Sequence, residues 1–167
     1  PCYCGKPGCV EQRTSFLALE QNIRAALDRG VSSLLRADYQ PGRPLSVQQI
    51  RAALNQGDRL CRHYVSLMTQ RLGVAIANAV NLLNPELVVL YGFMVELGDF
   101  FLERLETAIR ENTLVLSNQF EIRVSRTLER VLPLGAIGEL FFSYLKINEY
   151  QWIYDLQASE LDMDAEA

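Results

Sequence analysis

The chain has 167 residues, 49% of them apolar and 22% charged, with a formal net charge of −4. That is the length and composition of one ordinary globular domain, and no apolar run approaches the roughly 18 residues of a membrane-spanning helix. All 16 basic residues lie at or before Lys146 beside 14 acidic ones, and only acids follow, so no clustered basic stripe of a DNA-reading surface is present.

In chain order, the first feature is "PCYCGKPGCVEQ". Cys2, Cys4 and Cys9 fall within eight residues, separated by Gly5 and Gly8, which let the chain fold back tightly. Thiolates are soft ligands suited to zinc, and three of them stand one short of a closed four-ligand structural site. Disulfides are the competing use of four cysteines, but Cys2 and Cys4 are too close in sequence to suit a structural bridge. A reducing cytoplasm fits best. The start at Pro1, with no signal-peptide pattern behind it, reads as a chain cut from a longer one.

Apolar residues at Phe16, Leu19, Ile23, Ala26 and Leu27 predict one helix over residues 11–29, stopped by Gly30. Residues 31–45, with Gln40-Pro41-Gly42-Arg43-Pro44, read as a loop. Ser46 and Gln49 form a capping box for a short helix ending at Gly57. Asp58 then caps a long helix whose stripe runs through Leu60, Tyr64, Leu67, Met68, Leu72, Ala75, Ile76, Ala79 and Leu83. Gly73, Ala75, Ala77 and Ala79 keep its second half slim enough for a close neighbour, and Asn84-Pro85 ends it. Cys61, alone in this pattern, reads as a small buried hydrophobe, and His63 as a partly exposed helical residue.

"ELVVLYG" predicts a buried strand, Leu97 to Ile109 an amphipathic helix, and "FEIRVS" a half-exposed strand. From Leu134 onward, Ile137, Leu140, Phe141, Tyr144 and Leu145 predict a last core-facing stripe. Tyr150, Trp152, Ile153 and Leu156 extend it less regularly, and residues 147–167 read as an acidic, partly disordered extension. The fold class is helix-rich α/β with an incomplete sheet. Two strands make a poor sheet alone, so further strands are expected upstream, and the open edge invites self-association.

With Glu11 included, "CYCGKPGCVE" matches the C-x-C-G-x-x-G-C-x-E signature of the ROK (repressor, open reading frame, kinase) family. "NQGDRLCRHYVSLMTQRLGVAIANAV", "NLLNPELVVLYG" and "LGAIGELFFSYL" are similar, in order, to its central helix, its Asn-Pro-strand segment and its closing helix. The chain therefore resembles the C-terminal part of this family over residues 1–146, with residues 1–11 as the zinc knuckle.

This resemblance implies an actin-like ATPase (ribonuclease H-like) lobe. It implies a structural zinc held by Cys2, Cys4 and Cys9, with an upstream histidine as fourth ligand. It makes Glu11 a ligand of sugar hydroxyls, a task suited to a carboxylate that accepts two hydrogen bonds. Gly92 and Gly135 are the candidate cofactor-contacting positions. The family's kinases also need a D-x-G-x-T phosphate turn and a base aspartate, and neither segment is in this sequence. Where such kinases carry a glycine pair after the strand, this chain has Tyr91-Gly92-Phe93.

The chain thus resembles the transcriptional-regulator branch, with xylose- and N-acetylglucosamine-repressor-like members. It is expected to be a sugar-sensing and dimerisation portion rather than an enzyme, to reach DNA only through a domain outside this sequence, and to use no membrane. The alternatives are the C-terminal half of an ATP-dependent sugar kinase and a degenerate oligomerisation scaffold.

Overall fold

The computed structural model describes residues 2, 4–117, 119–125, 137, 138, 140 and 141. The chain divides into two units, residues 1–126 and 127–167. In the first, helices α1 (Glu11–Thr14), α2 (Phe16–Asp28), α3 (Val47–Asn55) and α4 (Arg59–Leu83) precede strand β1 (Leu87–Tyr91). Helix α5 (Asp99–Asn112) and strand β2 (Glu121–Ser125) follow.

The single helix expected over residues 11–29 is two. Ser15 adopts an extended conformation (ψ 157°), and its hydroxyl accepts the N–H of Ala18. A serine hydroxyl satisfies a helix start better than a helix interior, so the chain stops and restarts there. Thr14 leans back to donate to the Val10 carbonyl, 2.9 Å away. At the other end of α2 the N–H groups of Gly30 and Val31 bond back to Leu27 and Ala26. The expected loop after it contains a short 3-10 turn at Leu34–Ala37, and Leu35 and Leu45 are buried.

The capping box at Ser46 and Gln49 forms as expected, with both hydrogen bonds present. Asp58 caps α4 through the N–H of Cys61, 2.8 Å away, and also accepts the N–H of Leu34 at 2.6 Å. Burial alone would raise the Asp58 carboxyl. Those N–H bonds and the Ser33 hydroxyl outweigh it and hold its pKa below the usual carboxylate value.

Helix α4 is as long as expected, but its buried face is rotated. Leu60 and Met68 are buried as expected, and with them Cys61, Val65, Thr69, Gly73, Ala77 and Val80, whereas Ala79 and Leu83 are exposed. The reason lies at Gly73. A Cβ there would sit 2.5 Å from the Ala108 Cβ and 2.9 Å from its carbonyl carbon. Helix α5 approaches at Gly73, so Gly73 and Ala77 turn inward and larger residues flank the contact. Helix α5 buries Phe101, Leu105, Ala108 and Ile109, as its periodicity predicted. Leu97, expected in the same helix, lies instead in a 3-10 turn (Phe93–Leu97) set off by Gly98 at φ 85°.

Strands β1 and β2 pair in parallel, Leu87 opposite Glu121 through Tyr91 opposite Ser125, with α5 in the crossover. Strand β1 is not buried on both faces as expected. Val88 and Leu90 pack on the core, while Leu87, Val89 and Tyr91 are exposed. A continuous apolar run marks a strand for two-sided cover, but the described residues cover one side only. Strand β2 follows the expected alternation through the buried Phe120 and half-buried Ile122, but Val124, expected on the same face, is exposed.

In the second unit, Ile137, Leu140 and Phe141 are helical but exposed, contrary to the core-facing expectation. Helical spacing fixes which residues share a face and says nothing of what covers it. Tyr144, Leu145, the expected extension of that stripe and the acidic tail lie outside the described residues.

Candidate metal centre and adjoining clefts

The opening segment folds into a compact knuckle. The Cys2 N–H bonds the Lys6 carbonyl at 3.0 Å, and the Gly5 N–H returns to the Cys2 carbonyl at 2.8 Å. Gly5 and Gly8 both take positive φ, 81° and 82°, where a side chain is strained. The Gln12 N–H bonds the Cys9 carbonyl at 3.1 Å, so the knuckle runs directly into α1.

These turns bring Cys2, Cys4 and Cys9 together, with their sulfurs all within 4.8 Å of one another. The Cys4 and Cys9 sulfurs are 3.4 Å apart. Ligands about 2.3 Å from a tetrahedral zinc stand about 3.8 Å apart, so the trio fits three corners of such a site. His63 is not part of this cluster: it sits exposed on α4 with its ring edge-on to Tyr64.

The thiols are not equivalent. The backbone N–H of Lys6, followed by the Cys9 and Cys2 thiols, lowers the pKa of Cys4. Cys9 is pushed up to about 11, chiefly by its bond with Cys4. One proton shared between two close sulfurs accounts for the opposite directions. Cys61, fully buried, is a hydrophobe in effect; burial and then the Asp58 charge push its thiol far up.

Glu11 opens α1, where a carboxylate suits the helix N-terminus, and it is exposed. It borders two clefts. One, of about 470 Å³, is mostly apolar and runs past Leu72, Ile76, Val89 and Met94 to Tyr91. The other, of about 680 Å³, lies between α1–α2 and α4 and also reaches Cys2. Neither cleft was read from the sequence, and Ser15, at the break between α1 and α2, lines both. A serine at that position was the available signal.

Gly92 follows β1 with φ 106° and ψ −176°, a conformation that favours glycine, yet a Cβ there would meet nothing within 4 Å. Its neighbours Tyr91 and Phe93 are 55% and 49% exposed, and Phe93 meets Phe16 edge-on at 5.2 Å. Gly135 lies outside the described residues. Among the described residues, no helix is long and apolar enough to cross a membrane.

Comparison with known proteins places these features. The profile of the ROK family matches residues 1–132. The xylose repressor of Caldicellulosiruptor bescii is 29% identical over 150 residues, covering 89% of this chain and 37% of the repressor. A glucokinase of Halalkalibacterium halodurans is 31% identical over 106 residues, 64% of this chain and 32% of the kinase. Among solved structures, a ROK family transcriptional regulator described as a homolog of the E. coli MLC protein superposes with a TM-score of 0.68 at 28% identity. That match covers 77% of this chain and 32% of the regulator. The chain therefore spans about one third of the length of these relatives. Its helix-rich arrangement around a small parallel sheet is part of their actin-like ATPase fold. By profile, sequence and fold, the chain belongs to the ROK family.

Proposed function

We propose that the chain is the effector-sensing and dimerising portion of a ROK-type transcriptional regulator in the cytoplasm. Residues 1–146 are its sugar-kinase-like part and residues 147–167 an acidic extension. Glu11 accepts hydroxyl hydrogen bonds from a sugar or sugar derivative. Cys2, Cys4 and Cys9, with an upstream histidine, hold a structural zinc whose role is to fix the turn leading into α1. Sugar binding shifts the balance between two lobe arrangements, and a DNA-reading domain elsewhere in the protein reports the shift.

The observation that carries the regulator reading is Tyr91-Gly92-Phe93. A nucleotide needs close backbone approach after the strand, and two exposed rings flank the remaining glycine, Gly92. The likeness to a xylose repressor over most of the chain supports the same reading. The glucokinase likeness favours a second one, in which Gly92 and Gly135 contact a nucleotide in an ATP-dependent sugar kinase. Leu82 and Leu83, 83% and 72% exposed at the end of α4, suit the third, an association scaffold without a ligand.

Operator binding and ADP release, measured on the full-length protein across a pentose and hexose panel, test the three. A sugar that changes operator affinity, no ADP release, and loss of the sugar response in Glu11→Gln are expected. Sugar-dependent ADP release overturns the regulator reading in favour of the kinase. An oligomer with neither response supports the scaffold.

A further inference from the structure

The 680 Å³ cleft beside the knuckle has a chemistry of its own. Arg13, in the last turn of α1, and Arg71, midway along α4, both line it and both are exposed. Among the described residues neither guanidinium has an ion pair, a hydrogen bond or a ring beneath it. Arg24 is engaged with Glu20, Arg36 with backbone carbonyls, Arg62 and Arg104 over Phe100, and Arg123 with Glu121. Arg29, Arg43, Arg51 and Arg59 are unpaired among the described residues as well, and what sets Arg13 and Arg71 apart is that they line one cleft together.

The floor is supplied by helical spacing. Tyr64, Leu67, Met68 and Arg71 follow one another on one side of α4, and the break at Ser15 separates the segment bearing Arg13 from the facing α2. Glu11 stands at the same rim and disfavours negative charge at its own end.

We propose that this cleft binds a small organic oxyanion, a phosphate monoester or carboxylate held by Arg13 and Arg71, with an apolar body against Leu67 and Met68. Guanidinium forks match both oxyanions bidentately, and a cleft of this size with a few convergent polar groups is typical of small-molecule sites. Glu11, the assigned sugar contact, lines the same cleft, but the proposal rests on Arg13 and Arg71 and not on the role given to Glu11.

Methyl-labelled methionine NMR on the full-length protein tests this, using phenyl phosphate, benzoate and neutral benzyl alcohol as probes. Met68 lines this cleft and Met94 the other, so each cleft carries its own reporter. Phenyl phosphate or benzoate should shift the Met68 methyl and leave Met94 in place, their relative affinity identifying the oxyanion. Arg13→Gln and Arg71→Gln should each weaken binding about tenfold, and Arg71→Lys should fall between, keeping charge without the fork. Equal binding of benzyl alcohol, a shift at Met94 in place of Met68, or unchanged affinity in both glutamine variants would overturn the proposal. Both arginines are exposed, so circular dichroism should show native folding in every variant.

Discussion

The α4–α5 contact and the thiol knuckle are held by opposite means. Along the contact, Gly73 lets Ala108 come so close that no Cβ fits, and the surrounding Val65, Leu105 and Ile109 are at most 1% exposed. In the knuckle, Gly5 and Gly8 have nothing within 4 Å of where a Cβ would stand. They serve backbone direction, and the three sulfurs they gather lie within 4.8 Å of one another, with the Lys6 backbone also bonded to Cys4. One region is fixed by what it packs against and the other by its own backbone turns. The same residue type does both jobs, so a glycine in the sequence marks a constraint without saying which.

The largest effect should come from adding bulk at Gly73. Alanine there gains about 1 kcal/mol of helix propensity, but its Cβ meets backbone as well as side chain of α5. Overpacking of this kind costs about 1–3 kcal/mol, more where backbone must move. Gly73→Ala should therefore lower stability by about 2 kcal/mol, a fall in Tm of about 4–8 °C for a chain of this length. Gly73→Val should cost about 3 kcal/mol or more. Thermal melts of the two variants check this, and an unchanged or raised Tm in Gly73→Ala would mean the helices do not meet there. Gly8→Ala should instead leave the melt within about 1 kcal/mol of wild type and perturb only the knuckle.

Asp58 gives the next effect, because it ties the start of α4 to the loop before α3. One carboxylate oxygen accepts from Cys61 and the other from Leu34. Asp58→Ala removes a cap and a charge-assisted loop contact and should cost about 2 kcal/mol; Asp58→Asn, with a single acceptor oxygen, should cost about half of that. The folded pKa lies below the ordinary value of about 3.9. The carboxylate's contribution is thus complete above that value and is lost as pH falls through the folded pKa. Denaturant titrations should show the gap between wild type and Asp58→Asn constant at neutral pH and narrowing below about pH 4. A gap that persists into strong acid would remove the ionised carboxylate from the account.

Much of this architecture was legible in the sequence, and the exceptions have physical causes. Caps at Ser46 and Asp58, the stop at Asn84-Pro85 and the α5 stripe depend on local chemistry, and all form as read. The buried face of α4 depends on its neighbour. Leu83 continues a leucine stripe yet stands 72% exposed, because the close approach at Gly73 turned Gly73 and Ala77 inward. Strand β1 read as buried because its composition suits two-sided cover. The knuckle's convergence was legible from Cys2, Cys4, Cys9 and the intervening glycines. The cleft carrying Arg13 and Arg71 was not, since it needs a helix break at Ser15 and residues that meet only after folding.

The smallest effect on stability, and the sharpest on chemistry, concerns the four cysteines. Cys9→Ala should abolish bound zinc in native mass spectrometry of the full-length protein, while Cys61→Ala should retain it, with Tm moving little in the first. After chelation, iodoacetamide at pH 7 should modify Cys4 first, since its lowered pKa places more of it in the thiolate form and it is exposed. Cys9, with a pKa near 11, should lag, and Cys61 should react only on the timescale of unfolding. Peptide mapping of the labelled protein reads the order directly. If Cys61 were labelled alongside Cys4, the start of α4 would open as readily as the knuckle, and packing would not be what separates them. If zinc protected Cys4 and Cys9 together while Cys61 kept its slow rate in both states, the knuckle would be a local unit. Its order would then be set by its ligand, independently of the helices it leads into.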